Sequence, residues 1–280
     1  MCRSQTTQRG GSGIRFKDVL PTHISSFNDD WASDLYSAVL PSCRIGYYRG
    51  TAYFSANIFK ISSIRNAFIE MIKSGGEVRL LTSAELYRKD VEAARRGYKE
   101  RDDSITSDES RAILLSELSD RAVIDPHKFL FLLIKHKVMD WKIVVKNKQK
   151  EGYQNILYHE KMGFFIHSKN EFFRFNGSLN ETYNAVRENY ESVDISFSGD
   201  DKETSTKLLD RFRSIWFDND QYLRVCELLD VDVKFKTKTR RNDAGNLVEE
   251  EIKSEEDEEV SSFEDLSLRD YQIAAVNAFL

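Results

Sequence analysis

Cysteine is scarce in this chain of 280 residues: Cys2, Cys43 and Cys226 are scattered and odd in number. That usage argues against a disulfide framework and suits a reducing compartment. Long hydrophobic runs are missing as well, and nothing approaches the roughly 18 apolar residues of a membrane span. The opening stretch, MCRSQTTQRGGSG, lacks the apolar segment of a secretory signal. A cytoplasmic protein without a membrane partner is expected. No Cys/His cluster has zinc spacing, and HEKMG at 159–163 lacks the second His of a zincin helix. No G-x-x-x-x-G-K-[ST] occurs, so this chain alone is not expected to hydrolyse ATP. Neither a metal nor a cofactor is anticipated.

Apolar residues make up 40% of the chain, enough for a real core. Charge is distributed unevenly. Residues 249–280 hold 11 acidic and 2 basic side chains, which leaves 35 acidic against 39 basic in residues 1–248. A mildly basic body is therefore followed by an acidic segment, a balance that permits a nucleic-acid partner without requiring one.

Residues 1–27 are polar and rich in Gly, Ser and Thr, and read as a flexible lead-in. DDWASDLYSAVL has helical spacing, and RIGYYRGTAYFS is aromatic and β-branched enough for a strand. ANIFKISSIRNAFIEMIKSGG reads as one helix closed by Gly75–Gly76, and EVRLLTS as a buried strand completing a βαβ unit. Two or three helices are expected between about Tyr87 and Lys137, then strands at WKIVVK, on both sides of SKNE, and at ESVDISFS. DKETSTKLLDRFRSIWFDND closes the body as an amphipathic helix. The fold class is α/β with a mixed β-sheet flanked by helices. Residues 236–262 have the composition of a charged disordered linker, and 263–280 resume apolar periodicity like the start of another domain.

Two His-x-Lys pairs, His159/Lys161 and His167/Lys169, lie eight residues apart. With the hairpin turn centred between Lys169 and Asn170, Lys161 faces Ser178 and His159 faces Asn180. Opposed side chains on one face have Cβ atoms roughly 4.5–5.5 Å apart. The first pair therefore joins a cluster, while His167 and Lys169 belong to the turn. A neutral imidazole can attack phosphorus, and an ammonium with Ser and Asn donors can hold phosphoryl oxygens. Gly177 would let the backbone approach a ligand. Glu191 is a candidate to fix the imidazole tautomer. Phe164, Phe165, Phe172 and Phe173 read as core or interface. The basic stretch Arg88, Lys89, Arg95, Arg96 and Lys99 reads equally as a solvated face or a track for a phosphate backbone.

HEK at 159–161, GSLN at 177–180 and Glu191 in ENYES, in that order and spacing, resemble the phospholipase D superfamily, especially its nuclease branch. GTAYFSANIFKI and GGEVRLLTS add to a likeness with nuclease-like domains placed ahead of superfamily 2 helicases, and LRDYQIAAVNAFL resembles the first helix of such a motor. The likeness covers about residues 30–235 and the last thirteen. One departure is Ile166, where the superfamily often has an Asp. The resemblance implies a phospholipase D-like nuclease domain at 28–235 and a truncated helicase domain at 263–280. It implies a homodimer with one site across an isologous interface, acting on DNA without metal through a phosphohistidine on His159. Lys161, Ser178 and Asn180 would stabilise the phosphorane and Glu191 would orient the imidazole. The implied setting is helicase-linked restriction or anti-phage defence. The alternatives are a catalytically degenerate dimerisation or DNA-binding module regulating the helicase and, more remotely, a lipid phosphodiesterase.

Overall fold

Successive side chains on a strand point to opposite faces, so a pair of adjacent aromatics can feed two cores at once. Tyr47–Tyr48, Phe164–Phe165 and Phe172–Phe173 do this. Tyr47, Phe165 and Phe173 join one buried cluster, and Tyr48, Phe164 and Phe172 join another. The computed structural model describes residues 23–25, 31–119, 124–147, 158–230, 234–241 and 247–257.

In chain order the elements begin with β1 (His23–Ser25), α1 (Trp31–Val39), β2 (Gly46–Thr51), α2 (Ser62–Lys73), β3 (Glu77–Thr82) and β4 (Glu85–Leu86). Three helices follow, α3 (Arg88–Lys99), α4 (Ser107–Ser119) and α5 (Pro126–Lys135). Next come β5 (Met139–Lys146), β6 (Met162–Ile166), β7 (Phe172–Gly177), α6 (Tyr183–Arg187), β8 (Ser192–Phe197) and α7 (Lys202–Trp216). The last strands are β9 (Leu223–Glu227), β10 (Lys234–Phe235), β11 (Thr237–Arg241) and β12 (Leu247–Glu251).

Eight strands form one sheet in the order β1-β8-β7-β6-β2-β3-β5-β9. β2, β3 and β5 run parallel, and the strands flanking them are antiparallel, which makes the sheet mixed. Helices α1, α2 and α5 supply Leu35, Phe68 and Phe129 to the cluster on one face; α7 covers the other with Leu209, Phe212, Ile215 and Trp216. The expected fold class, mixed sheet flanked by helices, is the observed one. No helix among the described residues is long and apolar enough to cross a membrane.

The stretch expected to be a single helix from Ala56 is divided. Ala56–Lys60 is a 3₁₀ turn, Ile61 is extended, and α2 starts afresh at Ser62. Ser55 explains the break locally, because its side chain accepts the Asn57 N–H and starts the shorter turn. The other end matches expectation. Gly75 adopts φ +93°, while Gly75 N–H and Gly76 N–H donate to the Ile72 and Met71 carbonyls, a Schellman closure.

Two stretches outside the expected domain, 28–235, carry secondary structure. β1 pairs with β8, and β11 pairs with β12 through Lys238↔Glu250 and Arg240↔Val248. The chain then continues into Ile252, Ser254 and Glu255, all buried. Composition suggested a linker because its charges look unpaired in the sequence; several of their partners are in the body. Glu251 pairs with Arg88, and Glu256 with Lys60. Residues 258–280, including LRDYQIAAVNAFL, lie outside the described residues, as do residues 1–22.

Candidate active site

The turn between β6 and β7 sets the site. His167 N–H and Ser168 N–H both donate to the Glu171 carbonyl, closing a loop of Ser168, Lys169 and Asn170. An odd loop centres on one residue, Lys169, so the ladder runs Met162↔Asn176 to Ile166↔Phe172. This register is one residue away from the expected one: Ile166, not His167, opposes Phe172, and the ladder extrapolates Lys161 to Gly177. His159 and Lys161 lead into β6 at the end where Ser178 and Asn180 leave β7; His167 is at the other end, with Nδ1 2.6 Å from the Ser42 carbonyl. Phe164, Phe165, Phe172 and Phe173 are core.

Lys161 Nζ sits 3.2 Å from both ring nitrogens of His159, which sets its ammonium charge against the imidazole. Loss of solvent, reinforced by the Lys161 charge, lowers the His159 pKa and favours the neutral imidazole. Tyr53 meets the His159 ring edge-on, with centroids 6.4 Å apart. Lys161 is itself lowered, first by partial burial and then by Arg49, while Glu191 pulls it back up. Glu191 is buried, accepts a long 3.4 Å bond from Asn189 Nδ2, and acts electrostatically on Lys161. Glu191 was expected on the imidazole; its charge also acts on the Lys161 ammonium.

Asn180 Oδ1 accepts from Thr51 Oγ1 at 3.3 Å. Ser178 exchanges bonds with the start of β8: its N–H donates to the Ser192 carbonyl and its Oγ accepts the Ser192 N–H. Gly177 has a different reason from the expected one. A Cβ there would stand 2.0 Å from the Ser192 carbonyl oxygen, so the glycine permits close approach of a neighbouring strand. Ile166, at the position of the superfamily Asp, is core at 1% exposure.

Beneath these groups lies a polar network that sequence reasoning missed. Arg49, on β2, is fully buried and donates through Nε to Glu181 Oε2 at 2.8 Å. Its Nη2 reaches the Leu179 carbonyl and its Nη1 the Gly50 carbonyl. The Tyr36 and Tyr47 hydroxyls donate to the same Glu181 oxygen at 2.7 and 3.0 Å. Burial, then the Glu181 charge, raises both phenols, which keeps them protonated donors. Glu181 N–H donates to the Tyr53 carbonyl, and its carbonyl accepts the Ser55 N–H. Arg49 thus grips the residues on both sides of Asn180. The available sequence signals were an arginine inside an apolar strand and a Glu directly after GSLN.

Among the described residues, no three His, Cys, Asp or Glu side chains form a group that could hold a metal ion. The positive charge next to His159 comes from Lys161, with Arg49 behind it.

Replacing Lys161 by methionine keeps the bulk over His159 and removes the charge. The His159 pKa is therefore expected to rise relative to wild type, read by NMR titration of the imidazole Cε1–H. An unchanged or lower value would show that the ammonium does not act on the ring.

No family model matches the chain, and no curated protein matches it. Among solved structures, NucT from Helicobacter pylori is similar over 69% of this chain and 92% of its own, at 14% identity and a TM-score of 0.41. Nuc from Salmonella typhimurium, a phospholipase D family member, is similar over 73% of this chain and 96% of its own, at 12% identity and a TM-score of 0.40. Likeness this slight assigns no family, and the function must come from the site's own chemistry.

Proposed function

We propose that this chain is a metal-independent phosphodiesterase of the phospholipase D type, a DNA endonuclease that works through a phosphohistidine. The observation carrying the proposal is the His159–Lys161 pair. A nucleophilic imidazole must be neutral, and a transferring phosphoryl group needs fixed positive charge. Here one ammonium, 3.2 Å from the ring, serves both needs.

In the first step a ring nitrogen of His159 attacks phosphorus. An N–P bond forms, the P–O bond to one nucleotide breaks, and the leaving oxygen takes a proton. A single chain offers one such pair, so the acid in this proposal is the imidazolium of a second copy's His159, in a homodimer. In the second step that imidazole, now neutral, removes a proton from water as it attacks phosphorus, and the N–P bond breaks. Lys161 with Ser178 and Asn180 holds the phosphoryl oxygens, and the Glu191 charge favours the protonated Lys161. The likeness of LRDYQIAAVNAFL to a helicase helix supports a helicase-linked restriction or anti-phage setting, with a motor domain starting near residue 263.

One observation favours the second reading, a silent dimerisation or DNA-binding module: Ile166 is a core residue where the superfamily often has an Asp. Plasmid nicking in EDTA separates the two. Nicking that survives EDTA supports the enzyme; cleavage that stops with EDTA and returns with Mg²⁺ removes it. DNA binding without any cleavage favours the module.

A further inference from the structure

The basic stretch at the start of α3 has a partner within the chain. Arg88 and Lys89 occupy the first turn of this 12-residue helix, where the helix dipole makes cations unfavourable. Asp90, the acid of that turn, is buried and accepts the Ala56 N–H. Compensation comes from Glu92, one turn further along α3, and from the acidic segment that begins at the end of β12. Glu251 meets Arg88 through two carboxylate oxygens, Glu256 pairs with Lys60, and Lys89 Nζ reaches Ser254 Oγ at 3.4 Å. Backbone bonds lay the segment down, with Lys89 N–H on the Lys253 carbonyl and Ile252 N–H on the Lys236 carbonyl. Two other members of the basic stretch are engaged elsewhere: Arg95 donates to the Leu228 carbonyl and Arg96 pairs with Glu100.

The segment also borders the candidate site. Lys236, whose carbonyl accepts the Ile252 N–H of the segment, holds its ammonium 4.6 Å from the Tyr53 ring, the ring that meets His159. Glu255 accepts the backbone N–H groups of Tyr183 and Asn184, just past Asn180 and Glu181. An acidic strand laid over cations at the rim of a phosphate-handling site occupies the place of a polyanion.

We propose that Lys60, Arg88 and Lys89 form a binding surface for a DNA phosphate backbone, and that residues 249–257 are an internal competitor covering it. The proposal rests on DNA being the substrate. DNA reaching the site displaces the strap, and the cations exchange carboxylates for phosphates.

The test uses the whole chain carrying His159→Ala, so that binding is read without turnover, and a fluorescein-labelled DNA duplex in EDTA. Glu251→Gln with Glu256→Gln leaves the buried Glu255 in place. Releasing these two ion pairs, the Arg88–Glu251 pair part-buried, should tighten DNA binding roughly three- to tenfold at low salt. The salt slope of log K should steepen by about 2, because each further phosphate contact contributes about 0.9. Adding Lys60→Gln and Arg88→Gln should abolish both gains. Unchanged affinity and slope in the double Gln variant would overturn the proposal, as would gains that survive loss of the two cations. DNA binding altered as expected, beside a wild-type chain that never nicks DNA in EDTA, would uphold the surface and remove the nuclease. Absence of DNA binding in every variant would remove both.

Discussion

Glu181→Ala will lower the unfolding free energy by about 3–5 kcal/mol, the range for breaking a buried ion pair by removing one partner. Glu181 is 3% exposed and Arg49 0%, so the variant leaves a guanidinium in the core facing two phenols. Water cannot replace the carboxylate without opening the packing of Tyr36 and Tyr47 against Phe68 and Phe165. Tyr36→Phe and Tyr47→Phe each remove one hydrogen bond to a charged acceptor and should cost about 1.5–3 kcal/mol. Changing both partners together, Arg49→Met with Glu181→Gln, should recover part of the loss, since no buried charge remains. Urea unfolding gives all four values. A cost under about 1 kcal/mol for Glu181→Ala would mean that the network is hydrated and does not hold the loop bearing Asn180.

His159→Ala will reduce DNA cleavage by at least about 10³-fold, within the range that one acid–base group contributes. In the proposed dimer the residue acts twice, as nucleophile and as acid, so one substitution removes both roles. The loss should lie in the chemical step, with DNA affinity nearly retained. His167→Ala should keep most activity, because His167 sits beyond the other end of β6 against the Ser42 carbonyl. Equal losses in the two variants would place the chemistry elsewhere.

Elements with local causes were legible in the sequence. The βαβ unit shows in the apolar periodicity of β2, α2 and β3, and its closure in Gly75–Gly76. The doubled aromatics of β6 and β7 read as core or interface, and the fold buries them on both faces of the sheet. A common strand end for His159, Lys161, Ser178 and Asn180 followed from the hairpin itself. The one-residue error in register came from the turn, since SKNE permits a two-residue or a three-residue loop and only the bonds to the Glu171 carbonyl decide. The Arg49–Glu181 pair was invisible because its partners are 132 residues apart in sequence. A lone arginine in a strand gives no hint of which carboxylate will neutralise it. The strap was misread for a similar reason: like-charge blocks look solvated until Arg88 and Lys60 are folded beneath them.

Whether His159 becomes covalently bonded to phosphorus tests the account most directly. Wild-type chain mixed with a DNA oligonucleotide in EDTA, quenched in alkali to preserve an N–P bond and digested, is read by mass spectrometry. The account predicts a phosphoryl-oligonucleotide on the peptide containing His159, absent from His159→Ala and retained in His167→Ala. Cleavage at full rate with no adduct on that peptide, or with the adduct on another residue, would contradict it.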